Sequence, residues 1–116
     1  MKRVVVFDDV LHARGERFPT IAGLAVEVHA HADEATELGL VDGDVVCMDY
    51  EMGRDHRNGE EAVVALREAG FRGRIVAMSS DPGCNLRMVA AGATEALPRK
   101  AMLGAFLITL AQGGDG

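Results

Sequence analysis

Apolar residues come in short runs separated by segments of a different period. Arg3 to Phe7 is a continuous valine-rich run, as expected of a strand covered on both faces by helices. Val45 to Met48 and Ile75 to Met78 repeat that pattern. Leu24 to Ala30 instead alternates Leu24, Val26, Val28 and Ala30 with Ala25, Glu27 and His29, the mark of a strand with one wetter face, such as a sheet edge. From Asn58 the period lengthens. Asn58 is placed to cap a helix, Glu61 three residues on completes a capping box, Ala62, Val63, Leu66 and Ala69 form an apolar stripe, and Gly70 supplies a left-handed stop. Asp81-Pro82 reads as a cap and first turn leading into Leu86, Val89 and Ala90, with Gly92 closing the segment. A last helix is expected over about Ala101 to Ala111, burying Met102, Leu103, Phe106, Leu107 and Leu110. Asp33 to Leu38 predicts a short helix ending at Gly39, while Gly15 and Pro19 predict a short or irregular first crossover helix between residues 10 and 20.

Strands alternating with helices imply an α/β fold with a parallel sheet and helices on both faces. Five strands fit the flavodoxin-like, doubly wound order 2-1-3-4-5. That order puts strand two at an edge and strands one and three side by side at the switch point. Three strands then run into chemistry on one edge of the sheet: the first into Asp8 and Asp9, the third into Asp49, the fourth into Ser79 and Ser80. Two carboxylates about 5 Å apart repel by roughly 3 kcal/mol at an effective dielectric near 20, so gathered acids call for a compensating cation. All-oxygen ligation with room for water and phosphate suits Mg²⁺, with Asp8, Asp9 and Asp49 as its ligands.

Composition narrows the field further. The 116 residues fit one domain, placed here at 1–111 with a flexible tail at 112–116, where Gly113-Gly114-Asp115-Gly116 reads as frayed. A formal charge of −6 without a basic stripe argues against direct nucleic-acid binding. Cys47 and Cys84 read as two buried, reduced thiols. No signal-peptide pattern and no membrane-length apolar run is seen, so a cytoplasmic location is the expectation. His29 and His31 share a strand face that is expected to be solvated, His12 and His56 are expected in loops, and Met48, Met52 and Met78 are read as packing residues.

The Asp8-Asp9 pair, the Asp49-Tyr50-Glu51-Met52 stretch, Ser79, and Gly92-Ala93-Thr94-Glu95-Ala96-Leu97 before a basic residue together resemble the receiver domain of two-component response regulators, over nearly the whole chain. The resemblance implies a phosphorylated signalling protein rather than an enzyme. Asp49 would accept a phosphoryl group from a sensor histidine kinase or phosphotransfer protein, with Mg²⁺ as cofactor. Asp9 would bind the metal directly, Asp8 through water, and the Glu51 backbone carbonyl would add a ligand. Ser79 and Lys100, or Arg99, would contact the phosphoryl group, while Glu51 and Asp81 would border the site and modulate loss of that group. A downstream protein partner is implied. The chain departs from the family pattern in four places. The basic residue is Arg99 by count and Lys100 by type, the family's aromatic switch position is Ala96, the loop from Gly53 to Gly59 is longer, and the first helix is broken. Ala96 and the displaced lysine support an alternative, a pseudo-receiver that keeps the fold without switching by phosphorylation. A haloacid-dehalogenase type phosphatase is disfavoured, because Val10 stands where a second Asp is needed.

Overall fold

A computed structural model describes residues 1–15 and 21–113. Pro19 and most of the expected tail, residues 114–116, lie outside the described residues. Parallel strands β1 (Lys2–Phe7), β2 (Leu24–His29), β3 (Val45–Met48), β4 (Arg74–Ala77) and β5 (Glu95–Ala96) form one sheet in the order β2-β1-β3-β4-β5. The doubly wound flavodoxin-like fold is therefore present, with β2 on an edge as its alternation required. Helices α1 (Asp9–Ala13), α2 (Gly59–Glu68), α3 (Pro82–Ala91) and α4 (Leu103–Ala111) connect and cover the strands. None is long and apolar enough to cross a membrane.

Strand alternation divides the core in two. Val5, Phe7, Val46, Met48, Ile75 and Ala77 pack with Ala62, Val63 and Leu66 of α2 and Met88 of α3. Val4, Val6, Val45, Cys47, Val76 and Met78 pack on the other side with Leu103, Leu107 and Leu110 of α4. A large aliphatic side chain contributes about 1.5–3 kcal/mol when fully buried, so the leucine face alone is enough to dock α4. Helix α2 has the anticipated capping box: the Glu61 N–H donates to Asn58 Oδ1 at 2.9 Å and the Asn58 N–H donates to Glu61 Oε1 at 2.9 Å. Gly70 follows at φ +97°, the left-handed stop the sequence called for.

Several local expectations are corrected. Helix α3 starts at Pro82 behind the Asp81 cap, but it turns Asn85 and Met88 inward and leaves Leu86 71% and Val89 40% exposed. The 85/88 face wins because Asn85 has buried polar partners to satisfy, described below. The last helix is entered through a 3₁₀ turn, Lys100–Met102, which carries Met102 outward to 43% exposure. The segment after Asp33 is one 3₁₀ turn, Ala35–Glu37, before Gly39 at φ +67°. His12 lies on α1 rather than in a loop. Cys84 is half-buried rather than buried, and both thiols are free.

Candidate functional site: an acid crevice at the switch point

Register brings the strand ends level. Phe7 pairs with Met48 and Met48 with Ala77, so Asp8 and Asp49 emerge side by side, with Ser79 two residues past the end of β4. The Asp49 N–H donates to the Phe7 carbonyl at 3.0 Å, fixing where β3 leaves the sheet. Asp8 caps α1: its Oδ1 accepts the N–H groups of Val10 and Leu11, each at 3.0 Å. This commits one carboxylate oxygen to the helix and leaves Oδ2 for the crevice. Asp8 and Asp49 are buried, Asp9 is half-buried, and one ligand atom from each lies within 4.8 Å of the others.

Lys100 is the cation the fold delivers to these acids. Its Nζ lies 2.8 Å from Asp8 Oδ2 and 3.0 Å from Asp49 Oδ2. The lysine hydrogen-bonds Asp49, whereas the shorter contact to Asp8 is an ion pair lacking hydrogen-bond alignment, so the buried Asp8 Oδ2 keeps unused acceptor capacity. Arg99 is extended and exposed. Burial pushes the Asp49 carboxyl above its usual range; the Lys100 hydrogen bond opposes this and the charge of Asp8 reinforces it. Burial works against the Lys100 charge too, but its close pairing with the Asp8 and Asp49 carboxylates outweighs burial and raises its pKa. Three carboxylates and one ammonium leave the crevice with a surplus of negative charge matching one divalent cation. The donor set is all oxygen, and a buried carboxylate oxygen is under-satisfied, so the residues fit a hard dication.

Ser79 is buried, and its Oγ accepts the Asp81 N–H at 3.0 Å, capping the turn. Asp81 in turn caps α3 through Gly83 N–H at 2.8 Å and is exposed, as is Glu51. Ala96 is half-buried opposite Ala77, so no aromatic ring stands at that position.

Two features escaped the sequence. Asn85 is buried and grips the backbone of Ser79 from both sides: Oδ1 accepts the Ser79 N–H at 2.8 Å and Nδ2 donates to the Ser79 carbonyl at 3.0 Å. A buried Asn one turn into a helix after Asp-Pro was the available signal. The second is a cluster away from the acids: the rings of His31 and His56 stack with centroids 4.0 Å apart, and Asp33 joins them. His56 is a loop residue, as expected, and His31 lies just past the end of β2 rather than on it; that the two rings meet was not expected. His29 turns elsewhere, bonding Glu27 at 3.2 Å and packing on Phe7.

No protein-family model and no curated protein matches the sequence. Solved structures do. A LuxR-family two-component response regulator from Aurantimonas sp. aligns at TM-score 0.67 and 25% identity, over 96% of this chain and 85% of that one. The Francisella response regulator 1452 receiver domain aligns at TM-score 0.72 and 19% identity, over 97% and 94%. A response regulator from Burkholderia pseudomallei, crystallised with a phosphorylated aspartic acid, calcium ion and citrate, aligns at TM-score 0.61 and 23% identity, over 98% and 71%. The chain therefore has the receiver fold of response regulators across nearly its full length.

Proposed function

We propose that the protein is a phosphoacceptor receiver module, taking a phosphoryl group onto Asp49 from a phosphohistidine on a sensor histidine kinase or phosphotransfer protein. The observation carrying this reading is the convergence of Asp8, Asp9 and Asp49 within 4.8 Å of one another, with Lys100 on two of them. Asp8, Asp9, Asp49 and the Glu51 carbonyl would hold Mg²⁺, which when bound neutralises phosphoryl oxygens. The Burkholderia relative, with its calcium ion and phosphorylated aspartic acid, is consistent with a divalent ion here.

The chain's own residues supply positioning. Asp49 Oδ1 is held by the Tyr50 N–H at 2.8 Å, which orients the carboxylate while Oδ2 faces Lys100. In the transfer, a carboxylate oxygen of Asp49 forms the new P–O bond, the P–N bond to the donor histidine breaks, and the released imidazole nitrogen takes its proton from solvent. Lys100 and the Ser79 O–H then meet the charge of the acyl phosphate, the electrostatic help such a loose transition state mainly needs. Glu51 and Asp81, both exposed, border the site where water would approach. The signal would pass to a downstream protein by a shift between two conformers, in the cytoplasm, without nucleic acid or membrane contact.

Incubation with acetyl phosphate and Mg²⁺ should add one phosphoryl group by intact mass, lost in Asp49→Asn. No mass shift with any phosphodonor would sink the reading. Ala96 favours a second one, a pseudo-receiver that binds partners through the same fold without a phosphorylation switch. Mg²⁺ binding that depends on Asp9 and Asp49 discriminates, since a degenerate crevice shows none.

A further inference from the structure

Where the chain leaves β2, it places His31 and Asp33; where it loops back toward α2 from β3, it places His56 beside them. The three share no residue with the acid crevice. Their rings and carboxylate are one-third or so exposed, at 35% for His31, 33% for Asp33 and 37% for His56, so an ion reaches them directly from solvent. His56 Nδ1 lies 2.7 Å and His31 Nδ1 3.7 Å from the same oxygen, Asp33 Oδ2. We propose that His31, Asp33 and His56 bind a zinc-class transition-metal dication, with water completing the coordination.

The chemistry selects the ion. Two imidazoles and one carboxylate suit zinc and its neighbours rather than Mg²⁺ or Ca²⁺, which prefer all-oxygen sets. A tetrahedral centre with zinc–nitrogen bonds of about 2.0–2.1 Å keeps its donor atoms roughly 3.3 Å apart. The two measured separations, 2.7 and 3.7 Å, straddle that value, and all three ligand atoms already lie within 4.8 Å of one another. Closing the site also asks the two rings to splay from their present stack, 8° from parallel with centroids 4.0 Å apart, so that both Nδ1 lone pairs point at one centre.

The supporting shell is already in place. The Arg57 N–H donates to Asp33 Oδ1 at 3.0 Å, leaving Oδ2 for the two histidines. Gly53 has φ +111°, and a β-carbon there would lie 3.0 Å from His56 Cδ2, so the bare glycine makes room for the ring. Such outer contacts are what orient metal ligands in proteins. Binding gives up two contacts, the 3.4 Å one from the Asp33 N–H to His31 Nδ1 and the 2.7 Å hydrogen bond between His56 Nδ1 and Asp33 Oδ2. A neutral His56 moves to Nε2 the proton it shares with Asp33, through solvent, so the imidazole stays neutral and its Nδ1 lone pair forms the metal bond. The bound ion would staple the 53–57 loop, which follows the phosphoacceptor strand, onto the end of β2.

The test is calorimetric titration of Zn²⁺ into the full chain after chelator treatment, with excess Mg²⁺ present to occupy the acid crevice. One Zn²⁺ per chain is expected, weakened at least roughly tenfold in both His31→Ala and His56→Ala and unchanged in Asp9→Ala. Absence of Zn²⁺ binding, or equal affinity in the histidine variants, would overturn the site. As a check independent of variant folding, paramagnetic Co²⁺ added to the native chain should perturb the ring signals of His31 and His56 well before those of His12 and His29. Equal perturbation of all four would also overturn it.

Discussion

Gly59 opens α2 with its bare Cα pressed against the backbone of Asp49: its N–H donates to the Tyr50 carbonyl at 2.7 Å, and a β-carbon would collide with the Asp49 carbonyl oxygen and with Met88 Sδ. The helix start and the backbone of Asp49 thus share one contact. Gly59→Ala has no room, and overpacking of this kind costs about 1–3 kcal/mol. Urea unfolding should show that loss, and the variant should take up phosphoryl group from acetyl phosphate more slowly because Asp49 is displaced. A variant as stable as the parent would show that the helix start yields freely.

Asn85 is the second point of leverage. Asn85→Ala strands the Ser79 N–H and carbonyl in a buried setting, at about 1–3 kcal/mol for each unpaired group. Asn85→Asp keeps an acceptor for the Ser79 N–H but sets its other oxygen against the Ser79 carbonyl, acceptor on acceptor in a buried setting, so it should not rescue the loss. Denaturant midpoints of both variants are expected well below that of the parent.

Removing the lysine leaves Asp8 and Asp49 facing each other. Lys100→Ala should therefore lose stability in chelator, and millimolar Mg²⁺ should restore much of it, since a dication takes over the compensation. Arg99→Ala, at an exposed position, should stay within about 0.5 kcal/mol of the parent in thermal unfolding. If the arginine variant is the one that suffers, the cation has been misassigned.

The edge strand carries a pH-dependent tie. Arg3 forks onto Glu27 with contacts of 3.2 and 2.9 Å, and this hydrogen bond, opposed by burial, holds the Glu27 carboxyl below the usual glutamate value of 4.5. A depressed carboxyl contributes stability that is present above 4.5 and is lost as pH falls through its folded value. Glu27 is 39% exposed, so solvent screens the pair and Glu27→Gln should cost well under about 1 kcal/mol at neutral pH. The gap between variant and parent should narrow below pH 4.5 and close in stronger acid.

The strands, their order and the α2 capping box were legible in sequence because each has a local physical signature: a buried apolar run, an alternating edge, a reciprocal Asn58–Glu61 cap. The gathering of Asp8, Asp9 and Asp49 followed from topology once the strand order was set. What was not legible depended on rotation or on distant chain segments. A period of apolar residues picked out Leu86 and Val89 on α3, but the helix turned to satisfy the polar backbone around Ser79 with Asn85. Hydropathy does not register such a partner. His31 and His56 lie too far apart in sequence for any spacing rule, and only the return of the 53–57 loop makes them neighbours. The choice between Arg99 and Lys100 rested on how Pro98 is followed: Arg99 stays extended, and the 3₁₀ turn that begins at Lys100 aims that side chain at the acids.

Lys100, seated against Asp8 at 2.8 Å and Asp49 at 3.0 Å, acts as a resident counter-ion. A dication bound in the crevice, on the proposed function, would share those two carboxylates with it. The ammonium would then have to give ground while staying tethered beside Asp49. Metal occupancy and the posture of the lysine would thus be coupled through the same pair of oxygens.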